Sequence, residues 1–128
     1  MAAIEHLALY CADIERSREY YARFFGARSG ARYENAAKGF SSYFLSFESG
    51  ARLEIMSLAQ LPKAAPPAPA FGLAHLAFRV GSESAVDELT RQIAAAGYDV
   101  YSAPRRTGDG YYESCVADPD SVRVEITV

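Results

Sequence analysis

Two short stretches of the chain carry the same alternation of apolar and polar positions. IEHLALYC (4–11) and LAHLAFRV (73–80) each read as a strand with one apolar face and a histidine on the other. Leu7 and Leu9 stand against His6, and Leu76, Phe78 and Val80 stand against His75. After each strand the apolar period lengthens to that of a helix. DIERSREYYARFFG predicts one with Asp13 as N-cap, Ile14, Tyr21, Phe24 and Phe25 near one face, and Gly26 as the stop. SESAVDELTRQIAAAG predicts the other, with serine caps, Val86, Leu89, Ile93 and Ala96 at helical spacing, and Gly97 as the stop. Three strands follow each helix. They are expected over 30–34, 40–47 and 51–57, and again over 98–102, 111–117 and 122–128, divided by the turn signals AKG, ESG, TGDG and DPDS.

The chain is therefore written twice. Aligning the two opening strands sets His6 on His75, an offset of 69. Aligning ESGARLEIM with PDSVRVEIT sets Arg52 on Arg123 and Glu54 on Glu125, an offset of 71 that also sets Gly39 and Phe40 on Gly110 and Tyr111. The predicted class is α+β: two tandem β-α-β-β-β modules, 1–57 and 73–128, making a curved mixed sheet around a cleft within one domain, 1–128. The stretch 58–72 between them holds four prolines and reads as a stiff, extended connector.

Strand parity says which side chains share a face. Val122, Val124, Ile126 and Val128 oppose Arg123, Glu125 and Thr127; Leu53 and Ile55 oppose Arg52, Glu54 and Met56. The amphipathic helices cover the apolar faces, so His6, Glu54, His75 and Glu125 look the other way. If the modules pack with approximate two-fold symmetry, two imidazoles and two carboxylates converge. That set suits one borderline divalent cation, zinc or nickel first, with iron, manganese or cobalt also accepted. Two carboxylates buried without a cation would cost several kcal/mol per charge. Arg52, Arg79 and Arg123 fall on the same faces, with Tyr10 and Met56, and are candidate contacts for an anionic small-molecule substrate. Arg105 and Arg106 precede the TGDG turn and read as a solvated loop tip. Tyr43, Phe47, Tyr111 and Tyr112 read as strand packing, and Glu113 is a spare carboxylate whose parity relative to Glu125 the sequence leaves open.

Composition narrows the class without changing it. Half of the 128 residues are apolar and the net charge is −3, with acids and bases interspersed. There is no basic stripe, so no nucleic-acid partner is expected. No apolar run approaches the ~18 residues of a membrane span, and the start MAAIEHLALY has no leader-like pattern. Cys11 and Cys115 lack metal-type spacing and read as reduced core residues of a cytoplasmic protein.

With these motifs in place the sequence resembles the vicinal oxygen chelate superfamily, the glyoxalase, bleomycin-resistance and extradiol-dioxygenase group. The likeness runs the length of the chain, through DIERSREYYARFFG, GARLEIM, GLAHLAFRV and DPDSVRVEI. Ring-opening and fosfomycin-modifying members generally use three protein ligands. Glyoxalase I-like members use four, the extra carboxylate closing module one, where Glu54 stands. The resemblance thus implies a lactoylglutathione lyase-like metalloenzyme, a lyase or isomerase that stabilises an enediolate of a small α-oxo or α-hydroxycarbonyl compound or its thiol adduct. It implies Glu125 as the base, with Glu54 as near-symmetric competitor, and a homodimer whose metal site is built either within a chain or across a swapped pair. Glutathione-using relatives commonly carry an arginine four residues past the first ligand and an asparagine four past the first glutamate; Tyr10 and Leu58 occupy those places here. The competing expectations are a metal-free or metal-bound sequestering protein like the bleomycin-resistance members, and an extradiol dioxygenase-like oxygenase.

Overall fold

A computed structural model describes residues 1–63 and 69–128, which fall into two compact units, Met1–Lys63 and Ala64–Val128. The first runs β1 (His6–Tyr10), α1 (Ile14–Phe25), β2 (Arg28–Ser29), β3 (Tyr33–Asn35), a 3₁₀ turn (Ala36–Lys38), β4 (Phe40–Ser46) and β5 (Arg52–Leu58). The second runs β6 (Leu76–Arg79), α2 (Glu83–Ala95), β7 (Val100–Arg106), β8 (Tyr112–Ala117) and β9 (Arg123–Thr127). Each unit is a mixed sheet with one helix, so the protein is α+β. The strand orders are β1-β5-β4-β2, with β3 also on β4, and β6-β9-β8-β7. In both, the first strand lies parallel to the last and every other pairing is antiparallel. Part of the proline-rich connector, 64–68, lies outside the described residues.

The helices begin where their caps predict. The Asp13 carboxylate accepts from the N–H groups of Glu15 (3.0 Å) and Arg16 (3.1 Å), satisfying two donors that the first helical turn leaves unpaired. Gly26 ends α1 at φ +67°, a conformation in which a side chain would be strained. Ser82 caps α2 through the Ala85 N–H at 3.1 Å. Each helix lays its apolar stripe on its own sheet. Ile14, Tyr20, Tyr21 and Phe24 are buried in the first unit with Leu9, Leu45, Leu53 and Ile55; Val86 and Ile93 are buried in the second, with Leu76, Val116, Val124 and Ile126. No helix among the described residues is long and apolar enough to cross a membrane.

Several expected details are corrected. His75 precedes β6, because the ladder opens only where Leu76 meets Val124. The strand expected over 30–34 is two, β2 and β3. Ser29 sits opposite Leu45 but Tyr33 opposite Ser42, so three residues of one strand face two of the other and the ladder breaks after Gly30, whose N–H still bonds the Phe44 carbonyl at 2.9 Å. The strand expected over 98–102 continues to Arg106, through Pro104. It is the edge strand β7, where a missing N–H need not break a ladder. Phe25 and Leu89 are only half-buried and Ala96 is exposed, while Tyr20 and Thr90 take the inner positions. The buried Thr90 hydroxyl is satisfied by the Val86 carbonyl and the Ser114 hydroxyl, both at 2.6 Å. Cys11 and Cys115 are buried thiols and form no disulfide.

Candidate functional site

In the first unit the pairing register gathers the expected residues on one face. His6 pairs with Arg52, Ala8 with Glu54 and Tyr10 with Met56, so all six share the face away from α1. The opposite face carries Leu9, Leu53 and Ile55, which the helix buries. Phe44, paired with Glu54, joins the polar face from β4. Its ring takes the His6 imidazole edge-on at 5.3 Å, and the Arg52 guanidinium lies over it at 4.2 Å. The Glu5 carboxylate accepts from His6 Nδ1 and from Arg52 Nε at 2.8 Å. These two hydrogen bonds, His6 first, hold the Glu5 carboxyl below its usual range. Arg52 is thus engaged by Glu5 and Phe44, while Tyr10 is well exposed.

The second unit repeats the pattern with different neighbours. Ala77 pairs with Glu125 and Arg79 with Thr127, and Cys115 and Glu113 face Glu125 and Thr127 from β8. Glu113 therefore shares the face of Glu125, the parity that the sequence left open. His75 Nε2 lies 3.2 Å from Glu125 Oε2. Burial, the largest influence, raises the Glu125 carboxyl above the usual carboxylate range. The nearby His75 opposes that shift and the Glu113 carboxyl reinforces it. Burial likewise pushes the Cys115 thiol up. Arg123 lies over the Tyr101 ring at 4.8 Å.

The paired arginines part company. Arg105 pairs in register with Glu113, whereas Arg106 is held by Glu83 of α2. Tyr43 and Tyr112 are indeed packing residues: their hydroxyls donate to Glu15 of α1 and Asp87 of α2, each at 2.6 Å. Sequence reading missed Glu5, Phe44 and Cys115. The pairing register puts Phe44 and Cys115 on the polar faces, each opposite a candidate glutamate, and strand parity within one strand does not reveal it. Glu5 gave no signal either.

The donor chemistry can be compared with what a cation needs. Two donors about 2.1 Å from a common ion and roughly at right angles lie about 3 Å apart. The His75–Glu125 spacing fits that arrangement, as it fits a hydrogen bond. Among the described residues, no group of three or more His, Cys, Asp or Glu side chains is gathered closely enough to hold a metal ion. The second unit brings His75 and Glu125 together, whereas in the first His6 turns to Glu5 and shares only the strand face with Glu54.

The pair also makes a prediction for metal-stripped protein. Glu125 has a raised carboxyl in the folded state, so at low pH, where folded and unfolded forms are both protonated, it costs nothing. As pH rises through the unfolded and then the folded value, the fold is left holding a penalised charge and loses stability. Glu125→Gln should therefore benefit the chelator-treated protein more at about pH 7 than at about pH 4, measured by urea denaturation. A larger benefit at the acid end would contradict the buried-carboxylate description.

Two units, each a helix on a mixed sheet whose first strand lies parallel to its last, define a recognisable class. The model of the Glyoxalase/Bleomycin resistance protein/Dioxygenase superfamily matches residues 3–126, and the chain belongs to that superfamily. It is 30% identical to the uncharacterized protein YqjT of Bacillus subtilis, covering 96% of each chain, and 29% identical to the uncharacterized protein YwkD of the same organism, covering 98% of this chain and 96% of that one. Among solved structures, a glyoxylase/bleomycin resistance protein/dioxygenase domain from Frankia sp. has a TM-score of 0.84 at 18% identity, covering 100% of this chain and 98% of that one. Glyoxalase I from Zea mays has a TM-score of 0.80 at 19% identity. The match covers 98% of this chain but only 44% of the maize enzyme. At such identities the likeness establishes the fold.

Proposed function

We propose that the protein is a divalent-metal-dependent, glyoxalase I-like lyase or isomerase acting on a small α-oxo or α-hydroxycarbonyl compound or its thiol adduct. One observation carries this reading. In the first unit His6 and Glu54 share the face away from the helix, and in the second His75, just before β6, stands 3.2 Å from Glu125. In this proposal His6, Glu54, His75 and Glu125 together hold one ion, zinc or nickel by preference, with the two pairs drawn from one chain or from two. The ion, when bound, supplies Lewis-acid polarisation of two vicinal substrate oxygens.

The chain's own groups do the rest. Glu125 is the group that moves a proton between adjacent carbons, with Glu54 as its near-symmetric competitor. Burial that raises a carboxyl toward neutrality suits it to give and take protons. Arg79 and Arg123 suit an anionic substrate, and Tyr10 and Met56 are further proposed contacts. Arg52 contributes by fixing Glu5 rather than by reaching for substrate. Tyr10 and Leu58, where glutathione-using relatives place charged and amide contacts, favour a thiol adduct other than that of glutathione. The thiols of Cys11 and Cys115 support a reducing, cytoplasmic setting, and the family resemblance supports a homodimer.

A panel of hemithioacetals, made from α-oxoaldehydes and several small thiols, tests the reaction class. Oxygen-independent isomerisation of at least one member by the metal-loaded protein is expected. Oxygen-dependent cleavage of catechols by the iron-loaded protein would replace this reading with an oxygenase.

A further inference from the structure

The two histidines are held differently, and the difference assigns a role to Glu5. His75 has Ala74 before it in sequence, and its imidazole meets Glu125. His6 has Glu5 before it, and its Nδ1 meets the Glu5 carboxylate instead. Glu5 is itself tied down at three points. Its carbonyl accepts the Arg52 N–H at 3.0 Å, and its Oε1 takes two nitrogens of the Arg52 guanidinium, Nε at 2.8 Å and Nη2. Arg52 in turn lies on the Phe44 ring, against which His6 packs edge-on. The result is a closed circuit in which Glu5, Arg52 and Phe44 surround one imidazole.

The Glu5 carboxylate, already taken by two nitrogens of Arg52, acts as an acceptor toward the Nδ1 that faces it. The hydrogen between Glu5 and His6 therefore sits on Nδ1, and a neutral imidazole in that tautomer has its lone pair on Nε2. We infer that Glu5 is a positioning residue that fixes the His6 tautomer and ring orientation so that Nε2 is the donor offered to a cation. Carboxylates behind metal-ligating histidines raise ligand basicity and remove the need to reorient the ring on binding. Among the described residues the second unit shows no such brace, so the two halves contribute unequally and His6 is the pre-organised donor. This inference rests on the proposed role of His6 as a ligand, but the arrangement behind it exists without metal and can be tested without it.

The test uses the full chain, labelled with ¹⁵N and stripped of metal. Long-range ¹H–¹⁵N spectra should show His6 protonated at Nδ1 in the wild type. In Glu5→Ala the proton should move to Nε2, the tautomer imidazole favours in water. Glu5→Gln, whose amide oxygen can still accept, should keep it on Nδ1. Zinc affinity, measured by competition with a chromophoric chelator, should fall about 10–100-fold in Glu5→Ala and less in Glu5→Gln. A His6 that stays protonated at Nδ1 in Glu5→Ala overturns the inference whatever zinc does. Unchanged zinc affinity in that variant overturns the positioning role. Failure of the wild type to take up zinc, with the tautomer switch intact, would count against the proposed metal function and leave the Glu5–His6 brace standing.

Discussion

Glu125→Gln is expected to keep most of the bound metal and to lower turnover by about 10²–10⁴, the usual range for removing a general base. The amide keeps the size of the side chain and one oxygen that can still act as a donor. What it loses is the ability to carry a proton. Converted at about 1.4 kcal/mol per tenfold, the loss corresponds to roughly 3–5 kcal/mol of transition-state stabilisation. Glu125 is the better placed of the two glutamates because burial, the His75 imidazole and the Glu113 carboxyl all act on it. The measurement is kcat for whichever hemithioacetal the protein turns over, with metal content determined on the same preparation. An unchanged rate with full metal would move the proton-carrying role elsewhere, with Glu54→Gln the next variant to make.

The repeats explain why so much could be read from the chain alone. His6 and His75, Glu54 and Glu125, and Arg52 and Arg123 recur at a near-constant offset, and strand parity then dictates their faces. The pairing registers agree with that parity. What escaped reading was local competition. An extra residue between Gly30 and Tyr33 splits one strand, which no alternation pattern announces. Pro104 lies in an edge strand that tolerates it, so the strand runs past the end expected at 102. Thr90 takes an inner position on α2 because Val86 and Ser114 satisfy its hydroxyl. Glu5 was invisible for a different reason. A glutamate beside a strand is ordinarily solvated, and its role comes from Arg52, a residue far away in sequence and adjacent only through the parallel pairing of β1 and β5.

His75→Ala should lose most of the metal. The substitution removes one of two nitrogen donors and leaves the Glu125 carboxylate without the imidazole 3.2 Å away. Binding that favours the folded state also stabilises it, by about 2.7 kcal/mol when free ligand is at 100 times its Kd. Added zinc should therefore raise the thermal midpoint of the wild type and do little for His75→Ala. Elemental analysis after gel filtration gives the direct reading. A variant that retains a full equivalent and the same thermal response would place the metal at other residues.

The central claim is that two His/Glu pairs, one from each repeat, make one metal site. Its most direct test is the metal content of protein purified without added metal or chelator, by elemental analysis, followed by titration of the stripped protein with cobalt. The account predicts one equivalent of divalent metal per chain in both, with cobalt absorption bands that change when a small anionic ligand is added. Two equivalents per chain would mean that each pair binds its own ion. A native protein with no metal that takes up no cobalt, yet binds a large planar ligand at micromolar concentration, would contradict the account and make the protein a sequestering member of its superfamily.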